Sequence, residues 1–305
     1  MSAVIESALP VFLALALGSL CRKKNFLDRA GIDALKKVIL NITLPAVLLN
    51  AFASADYSAS VMVQPVVMFL LCCLALSLGF LVLRLCRGKS RLTPYLASGF
   101  EAGMLGYTLF ALLFPDRSVS EFALLDLGQT LFVFTLYKFL LSGKSGLKAI
   151  LRDMVTSPIL WAVFAGVLLG ATGLYGKLHD WGVGNILDGA TAFLSAPTGM
   201  IILMTVGYDL VLKEIPWKET SLLILMRLGI MAVILGLTVL INNFLLKGQI
   251  FIGAAVLMVI LPPPYVIPVF ADEPNERVQI SSALSALTLV TMILFAVCSV
   301  LVGIR

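Results

Sequence analysis

Three ionisable side chains lie inside long apolar stretches of the sequence: Glu101, Asp126 and Arg227. A charged group inside a membrane span is costly, so such residues are by default candidates for function. Two interpretations stay open for them. Glu101 exchanges a proton in step with a bound substrate, or Arg227 forms a structural ion pair with Asp126 or Glu101.

Three consecutive prolines, Pro262, Pro263 and Pro264, interrupt another apolar stretch near the C-terminus. Proline removes a backbone hydrogen bond and clashes with the carbonyl one turn earlier, so three in a row cannot be helical. Irregular backbone at membrane depth is tolerated where it is buried in protein or lines a cavity. Interrupted spans of this kind point to the substrate site of a transporter.

The composition is that of a membrane protein. The 305 residues are 60% hydrophobic and 13% charged, with a mean hydropathy of +1.04, whereas a soluble domain carries about 25% charged residues. The net charge of +5 is read as a topology signal, and nucleic-acid binding is a poor explanation for it. The cysteines have no spacing typical of a disulfide framework or a zinc site. No metal, cofactor or catalytic residue is predicted, and the chain is not expected to be an enzyme.

Apolar runs of about 20 residues, each long enough to cross a bilayer, predict an all-α fold with ten membrane-spanning helices. We number these predicted spans 1 to 10, and they cover 4–21, 34–53, 62–86, 93–115, 120–141, 156–175, 189–212, 217–245, 249–272 and 277–304. Most lysines and arginines fall in every second loop between the spans. The positive-inside rule places these loops in the cytoplasm and therefore both termini on the outer side of the cytoplasmic membrane. Each half has five spans, an odd number, so the second half begins on the opposite side of the membrane. We therefore predict that the second half, 153–305, is an inverted copy of the first, 1–152.

Weak internal matches support this repeat. Pro10 and Gly18 of span 1 have the same spacing as Pro158 and Gly166 of span 6, and Pro45 of span 2 has a counterpart in Pro197 of span 7. A single match of this kind arises easily by chance, but several in the same register suggest an inverted repeat. The repeat makes span 4 the counterpart of span 9, the span that the prolines interrupt.

Span 4 contains Gly99, Gly103 and Gly106 where a break is needed. Glycine weakens a helix interior and lets another backbone approach closely, although glycines at this spacing also serve plain helix packing. If spans 4 and 9 both break near the bilayer centre, two helix N-termini with free N–H groups converge there. Such a pair forms an anion site without a lysine.

Other polar side chains are candidates for the same site. Tyr107, Thr108 and Tyr265 offer hydroxyl donors, and Asn41 and Asn50 on span 2 offer amides. The alternative for each of them is a hydrogen bond between neighbouring helices. With the glycines and prolines above, these residues complete the predicted substrate-binding set.

Motifs in spans 2, 4, 6, 7 and 9 follow one another in a characteristic order. They are LNITLPAVLLNAF, GMLGY, SPIL, TVGYDL, and Leu-Pro followed nine residues later by alanine and an acidic residue. In order and spacing the chain resembles, over nearly its whole length, the auxin efflux carrier family of PIN-like transporters, which includes bacterial malate and malonate permeases. Glu101 and Thr108 depart from the pattern, because the family usually has asparagine and proline there.

The resemblance implies a fold and a mechanism. Spans 4 and 9 would be a crossed pair of broken helices within a mobile unit of spans 3–5 and 8–10. Spans 1, 2, 6 and 7 would form a scaffold, and spans 2 and 7 would make a homodimer. Elevator-type movement and a carboxylate-bearing substrate are implied as well.

The sequence therefore predicts a secondary active transporter of small organic anions in the lipid bilayer, with proton coupling as one option. A sodium-coupled carrier of the same fold stays open, because unwound carbonyls also ligate cations. A non-transporting membrane sensor or lipid-binding protein of the same architecture is a further alternative. An intramembrane enzyme is least favoured, since no catalytic pair is placed for it.

Overall fold

The computed structural model describes residues 2–85, 91–142, 155–210, 217–265, 267 and 274–303. Throughout this part of the chain the regular secondary structure is helical, and it contains no strand. The predicted all-α fold class is therefore confirmed for the described residues.

The helices of the first half are, in chain order, α1 (Ser2–Lys23), α2 (Arg29–Val38), α3 (Leu44–Ala53), α4 (Val63–Leu85), α5 (Thr93–Leu96), α6 (Tyr107–Leu113), α7 (Val119–Phe132) and α8 (Lys138–Ser142). Short π-helical turns, whose hydrogen bonds span five residues, continue into α3, α6 and α8; they are Ile39–Thr43, Ala102–Gly106 and Val133–Tyr137.

The helices of the second half are α9 (Pro158–Ala171), α10 (Leu174–Asp180), α11 (Gly184–Ser195), α12 (Thr198–Asp209), α13 (Trp217–Phe244), α14 (Ile252–Ile260) and α15 (Pro274–Gly303). α10 follows α9 after a bend of 72°. α11 and α12 are separated by a short turn that contains Pro197.

Capping residues mark where several helices begin. The Asp28 side chain accepts a hydrogen bond from the Gly31 N–H at the start of α2, and Ser118 caps α7 in a similar way. Pro158 occupies the first position of α9 after the cap Ser157. A proline there costs little, because the first N–H groups of a helix have no intrahelical partner.

Five stretches of the described residues are long and apolar enough to cross a membrane: Val63–Leu85, Val119–Leu141, Gly184–Asp209, Thr220–Phe244 and Ile280–Val302. The bent pair α9 and α10 adds a sixth if it forms one span. By length and composition, these helices indicate a multi-pass membrane protein. The ten-span inverted repeat is a finer arrangement than they establish, and it stays a prediction.

Glycines allow some of these helices to approach very closely. A Cβ atom on Gly128 of α7 would lie 2.0 Å from the Pro65 carbonyl oxygen of α4, and one on Gly207 of α12 would lie 2.1 Å from the Leu15 carbonyl oxygen of α1. Atoms cannot come so near, so only glycine permits this packing. These contacts fix the helices around the interrupted segments.

Span 4 is interrupted at Gly99, the first of its three glycines, and before Gly103 and Gly106. The chain is irregular over 97–101, where Gly99 has a φ of +67°, a left-handed conformation that glycine adopts without steric cost. Gly103 and Gly106 instead lie in the π-helical turn that begins the second part of the span. Gly106 is needed for packing, because a Cβ there would meet the Phe122 ring at 2.5 Å.

Span 9 breaks where its prolines predict. α14 ends at Ile260, the next residue Leu261 is extended with φ −61° and ψ 152°, and Pro262–Pro264 are not helical. This prediction is confirmed. The predicted second part of the span falls largely on 268–273, which lie outside the described residues.

Candidate functional site

The two interrupted segments meet each other directly. The Glu101 backbone N–H donates a 2.8 Å hydrogen bond to the Pro262 carbonyl oxygen. Gly99 lies against the Pro264 ring, whose Cδ would be 3.0 Å from a Cβ on Gly99. We call residues 97–101 together with 261–265 the crossing. Gly106, which follows the break in span 4, also lies against this segment, because a Cβ there would be 2.9 Å from the Leu261 Cδ1.

The Glu101 carboxylate binds backbone from both sides of the crossing. Its Oε1 accepts the Met104 N–H at 3.2 Å, and its Oε2 accepts the Tyr265 N–H at 2.6 Å. The first bond caps the helix 102–113, whose early N–H groups have no intrahelical partner. The second comes from the segment that follows the prolines. One carboxylate therefore holds an N–H group from each interrupted span.

Arg227 approaches the crossing from α13 and is almost fully buried, with 3% of its surface exposed. Its two terminal nitrogens donate hydrogen bonds to four backbone carbonyl oxygens. Nη1 bonds the carbonyls of Leu96 and Ser98 at 3.2 and 3.4 Å, and Nη2 bonds those of Gly99 and Leu261 at 2.9 and 2.7 Å. These carbonyls lie at the end of α5 or in the residues that follow α5 and α14.

The predicted ion pair of Arg227 with Asp126 or Glu101 is therefore wrong. None of the salt bridges between described residues involves Arg227. Carbonyls at a helix C-terminus carry partial negative charge and lack intrahelical donors, so they attract a guanidinium as a carboxylate does.

α7 supplies two further polar groups at the crossing. Asp126 is buried and accepts a 2.8 Å hydrogen bond from the Tyr107 hydroxyl. Gln129, almost one turn later, donates its side-chain amide to the Phe100 carbonyl oxygen inside the break. The hydroxyl of Tyr107, predicted as a substrate donor, is thus engaged by Asp126.

A cavity of about 840 Å³ reaches the crossing, a size typical of small-molecule sites. Of the predicted site residues, its wall includes Asn41, Glu101, Gly103, Asp126, Pro264 and Tyr265. Residues that the sequence analysis missed also line it: Arg29, Lys36, Gln129, Thr130, Lys138 and Thr288. The cavity therefore joins the two carboxylates to a set of cationic and hydroxyl groups.

Two cationic side chains of the wall lie at the end of α12. The Asp209 carboxylate forms salt bridges with Arg29, at 2.5 Å, and with Lys36. The Lys138 ammonium lies 4.4 Å from the centre of the Phe134 ring. Among the described residues, the wall therefore carries three cationic side chains, Arg29, Lys36 and Lys138, and three carboxylates, Glu101, Asp126 and Asp209.

The other predicted substrate residues lie outside the cavity wall: Asn50, Gly106, Tyr107, Thr108, Pro262 and Pro263. The Asn50 amide donates a 3.2 Å hydrogen bond to the Thr191 hydroxyl of α11. Thr108 packs against α12, where its Cγ2 would be 3.0 Å from a Cβ on Gly199. In the structure these two side chains join neighbouring helices.

Two predicted residues line the cavity with their polar groups already bonded. The Asn41 amide donates to the Lys37 carbonyl oxygen at 2.7 Å, within the same helical stretch. The Tyr265 and Thr288 hydroxyls share a 3.0 Å hydrogen bond. The Tyr265 backbone N–H, rather than its hydroxyl, is the donor that points to a charged group.

Some of the missed residues left a signal in the sequence. Gln129 stands three residues after Asp126 in an apolar stretch, which places both on one helix face. Lys36 and Arg29 belong to a basic segment that the positive-inside rule already explains. Nothing further in the sequence indicates that they line a cavity.

A second cavity of about 780 Å³ lies at the opposite ends of α6 and α7. Its wall includes Gln64, Arg117, Glu121 and Phe251, and it shares no residue with the first cavity. The Arg117 guanidinium lies 4.5 Å from the centre of the Phe251 ring and 3.6 Å from the Glu121 carboxylate. The described helices thus carry one cavity at each end of α6.

Neither a protein-family model nor a curated protein matches the chain. The resemblance to the auxin efflux carrier family therefore stays a prediction from the sequence motifs.

Proposed function

We propose that this protein is a secondary active transporter that carries small organic anions of the carboxylate class across a cytoplasmic membrane. One observation carries the proposal. A cavity of about 840 Å³ ends where the N–H groups of Met104 and Tyr265, from two interrupted helical segments, bind one carboxylate. Glu101 supplies that carboxylate in the structure.

A substrate carboxylate is the same chemical group as the Glu101 side chain. When Glu101 releases the Met104 and Tyr265 N–H groups, they become available to a substrate. Protonation of Glu101 weakens its hold on these donors, since a hydrogen bond to a charged acceptor is about twice as strong as one to a neutral acceptor. The substrate charge and the Glu101 charge thus compete for one position, which couples the anion to a proton.

The cationic part of the cavity wall also suits a carboxylate substrate. Arg29 and Lys36 both pair with Asp209, and a substrate carboxylate that takes the place of Asp209 binds the same two cations. A dicarboxylate offers a second charge for these cations. We therefore favour dicarboxylates within the carboxylate class.

The proposed architecture is that of the auxin efflux carrier family. Ten spans form two inverted repeats, spans 1, 2, 6 and 7 form the scaffold, and the crossing moves with spans 3–5 and 8–10 in an elevator-type motion. Both termini lie outside, and spans 2 and 7 form a homodimer. The two cavities at opposite ends of α6 support alternating access, because each offers an approach from one end of the bundle.

A sodium-coupled carrier is the second candidate. Glu101 and Asp126 line the same cavity, and paired carboxylates are oxygen ligands of the kind that hard cations prefer. Under this alternative, anion binding depends on sodium rather than on a proton.

Thermal unfolding of the purified protein tests the proposal. Malonate, malate and acetate are added at one ionic strength, in sodium or in choline salts, with chloride as the control anion. A ligand that binds only the folded state raises the melting temperature with its concentration. We expect malonate or malate to do so in both salts. Stabilisation in sodium alone would support the second candidate, and no stabilisation by any carboxylate would contradict the proposal.

A further inference from the structure

The carbonyl oxygens around Arg227 have one structural origin. Leu96, Ser98 and Gly99 lie at the end of α5 and in the break after it, and Leu261 follows the end of α14. Helix ends leave their last carbonyls without intrahelical donors. The two breaks therefore place a compact group of partly negative oxygens inside the protein, on which Arg227 converges.

Neighbouring carbonyls at the breaks accept hydrogen bonds from other side chains. Tyr137 donates to the Tyr95 carbonyl at 2.8 Å, and Thr291 donates to the Ile260 carbonyl at 2.6 Å. These donors are neutral. Arg227 differs from them because it brings a charge, and it bonds carbonyls from both interrupted spans at once.

In transporters with interrupted helices, unwound carbonyls and helix C-terminal ends are the groups that coordinate a sodium ion or proton. A guanidinium at these oxygens supplies the positive charge that such an ion would supply. It also offers several N–H groups in a fixed plane, whereas a lysine has three donors on one nitrogen.

We infer that Arg227 is a built-in cation of the crossing, which joins the two interrupted spans and takes the place of a sodium ion at their carbonyl ends. The crossing then keeps its geometry without sodium, and Arg227 holds in place the two breaks whose following segments carry the N–H groups of Met104 and Tyr265. It follows that substrate binding needs no sodium, a conclusion that rests on the proposed function. The role of Arg227 at the crossing does not rest on the proposed function.

Hydrogen exchange measured by mass spectrometry tests this inference without any substrate. The proteins are the wild type, the Arg227→Lys and Arg227→Met variants, and Arg117→Lys as a matched control at the second cavity. In both Arg227 variants we expect exchange in peptides covering 97–104 and 261–267 to rise at least about 10-fold, the factor for losing one hydrogen bond to a charged group. Peptides of α3 and α9 should change much less, and Arg117→Lys should match the wild type.

The wild type gives a second measurement that needs no variant to fold. Exchange at the crossing should be equal in sodium chloride and in choline chloride. Sodium-dependent protection of these peptides in the wild type would overturn the inference, as would unchanged exchange in the Arg227 variants. A rise that is uniform over the whole chain would also overturn it, because it would show a general loss of stability. Failure of every carboxylate to bind would contradict the proposed function and leave these exchange results unaffected.

Discussion

The Tyr265 backbone N–H donates a 2.6 Å hydrogen bond to the Glu101 carboxylate, although the two residues are 164 positions apart. The bond joins the segment after the prolines to the break in span 4. Since the same carboxylate also caps the helix that begins at Ala102, a negative charge sits where two sets of backbone donors converge. Under the proposed function, an incoming anion must displace this charge or bind after it is neutralised.

Lys36 should contribute directly to anion affinity. Its ammonium lines the cavity and pairs with Asp209, whereas Lys37, the next residue, is exposed and outside the wall. We expect Lys36→Ala to weaken malonate binding about 5-fold, equivalent to ~1 kcal/mol for a partly exposed charge pair. The effect should shrink at high ionic strength. Calorimetric titration measures it, and an equal loss in the control Lys37→Ala would contradict the assignment.

Gly99 and Gly103 should differ in their tolerance of a methyl group. Alanine at Gly99 must adopt a φ of +67° and place its Cβ 3.0 Å from Pro264. The left-handed conformation alone costs roughly 1–2 kcal/mol. Alanine at Gly103 meets the Leu44 Cδ2 at 3.5 Å and the Glu101 Oε1 at 4.0 Å, both ordinary contact distances, and alanine favours the helix.

Melting temperatures of the two alanine variants test this difference. Gly99→Ala should melt below the wild type, and Gly103→Ala should melt at the same temperature or higher. Equal melting of the two variants would show that the position of the break has been assigned to the wrong glycine.

The sequence predicts the two breaks unequally well. Three prolines exclude a helix by their covalent structure, so Pro262–Pro264 mark the break in span 9 without reference to any neighbour. Span 4 offers three glycines, and glycine permits a break without requiring it. The choice of Gly99 depends on its contact with Pro264, a residue that is distant in the chain.

The partners of Arg227 could not be predicted for a related reason. A sequence displays charged side chains, so it favours a carboxylate such as Asp126 as the partner of a buried arginine. Backbone carbonyls become partners only where helices end, and those ends are set by the breaks. The type and place of Glu101 single it out in the sequence, but its N–H partner on Tyr265 depends on the crossing.

Membrane topology is tested by cysteine labelling in a variant without the five native cysteines. The distribution of basic residues predicts that Ser54 lies outside and Lys89, which falls outside the described residues, lies inside. A membrane-impermeant maleimide added to intact cells should label Ser54→Cys. Lys89→Cys should react only after the membrane is opened. The reverse pattern would invert the proposed orientation of both halves.

His179 should make stability depend on pH. It lies in α10, beyond the 72° bend and after the end of predicted span 6, and its ring bonds the Tyr175 carbonyl and the Asp188 carboxylate, each at 2.9 Å. These hydrogen bonds, that to Tyr175 first, raise the pKa of His179 above its usual 6.5. Because the folded pKa is raised, the stabilisation is fully present below pH 6.5 and is lost as the pH rises through the folded pKa.

The His179→Gln variant isolates this contribution. Its melting temperature should fall furthest below that of the wild type at about pH 5.5 and approach it at high pH, since glutamine carries no charge. A difference that grows with rising pH would have the wrong sign and would contradict the assignment.

Proton-driven uptake into proteoliposomes tests the central claim most directly. The assay compares the wild type with Glu101→Gln and with the matched control Glu121→Gln. Glu121 is a carboxylate at the second cavity. Uptake of radiolabelled malonate or malate is measured with the exterior more acidic than the interior. We predict that the wild type and Glu121→Gln accumulate the anion above equilibrium, whereas Glu101→Gln exchanges it across the membrane without accumulating it. Accumulation by Glu101→Gln equal to that of the wild type would contradict coupling at Glu101. Wild-type uptake no greater than that of protein-free vesicles would contradict carboxylate transport itself.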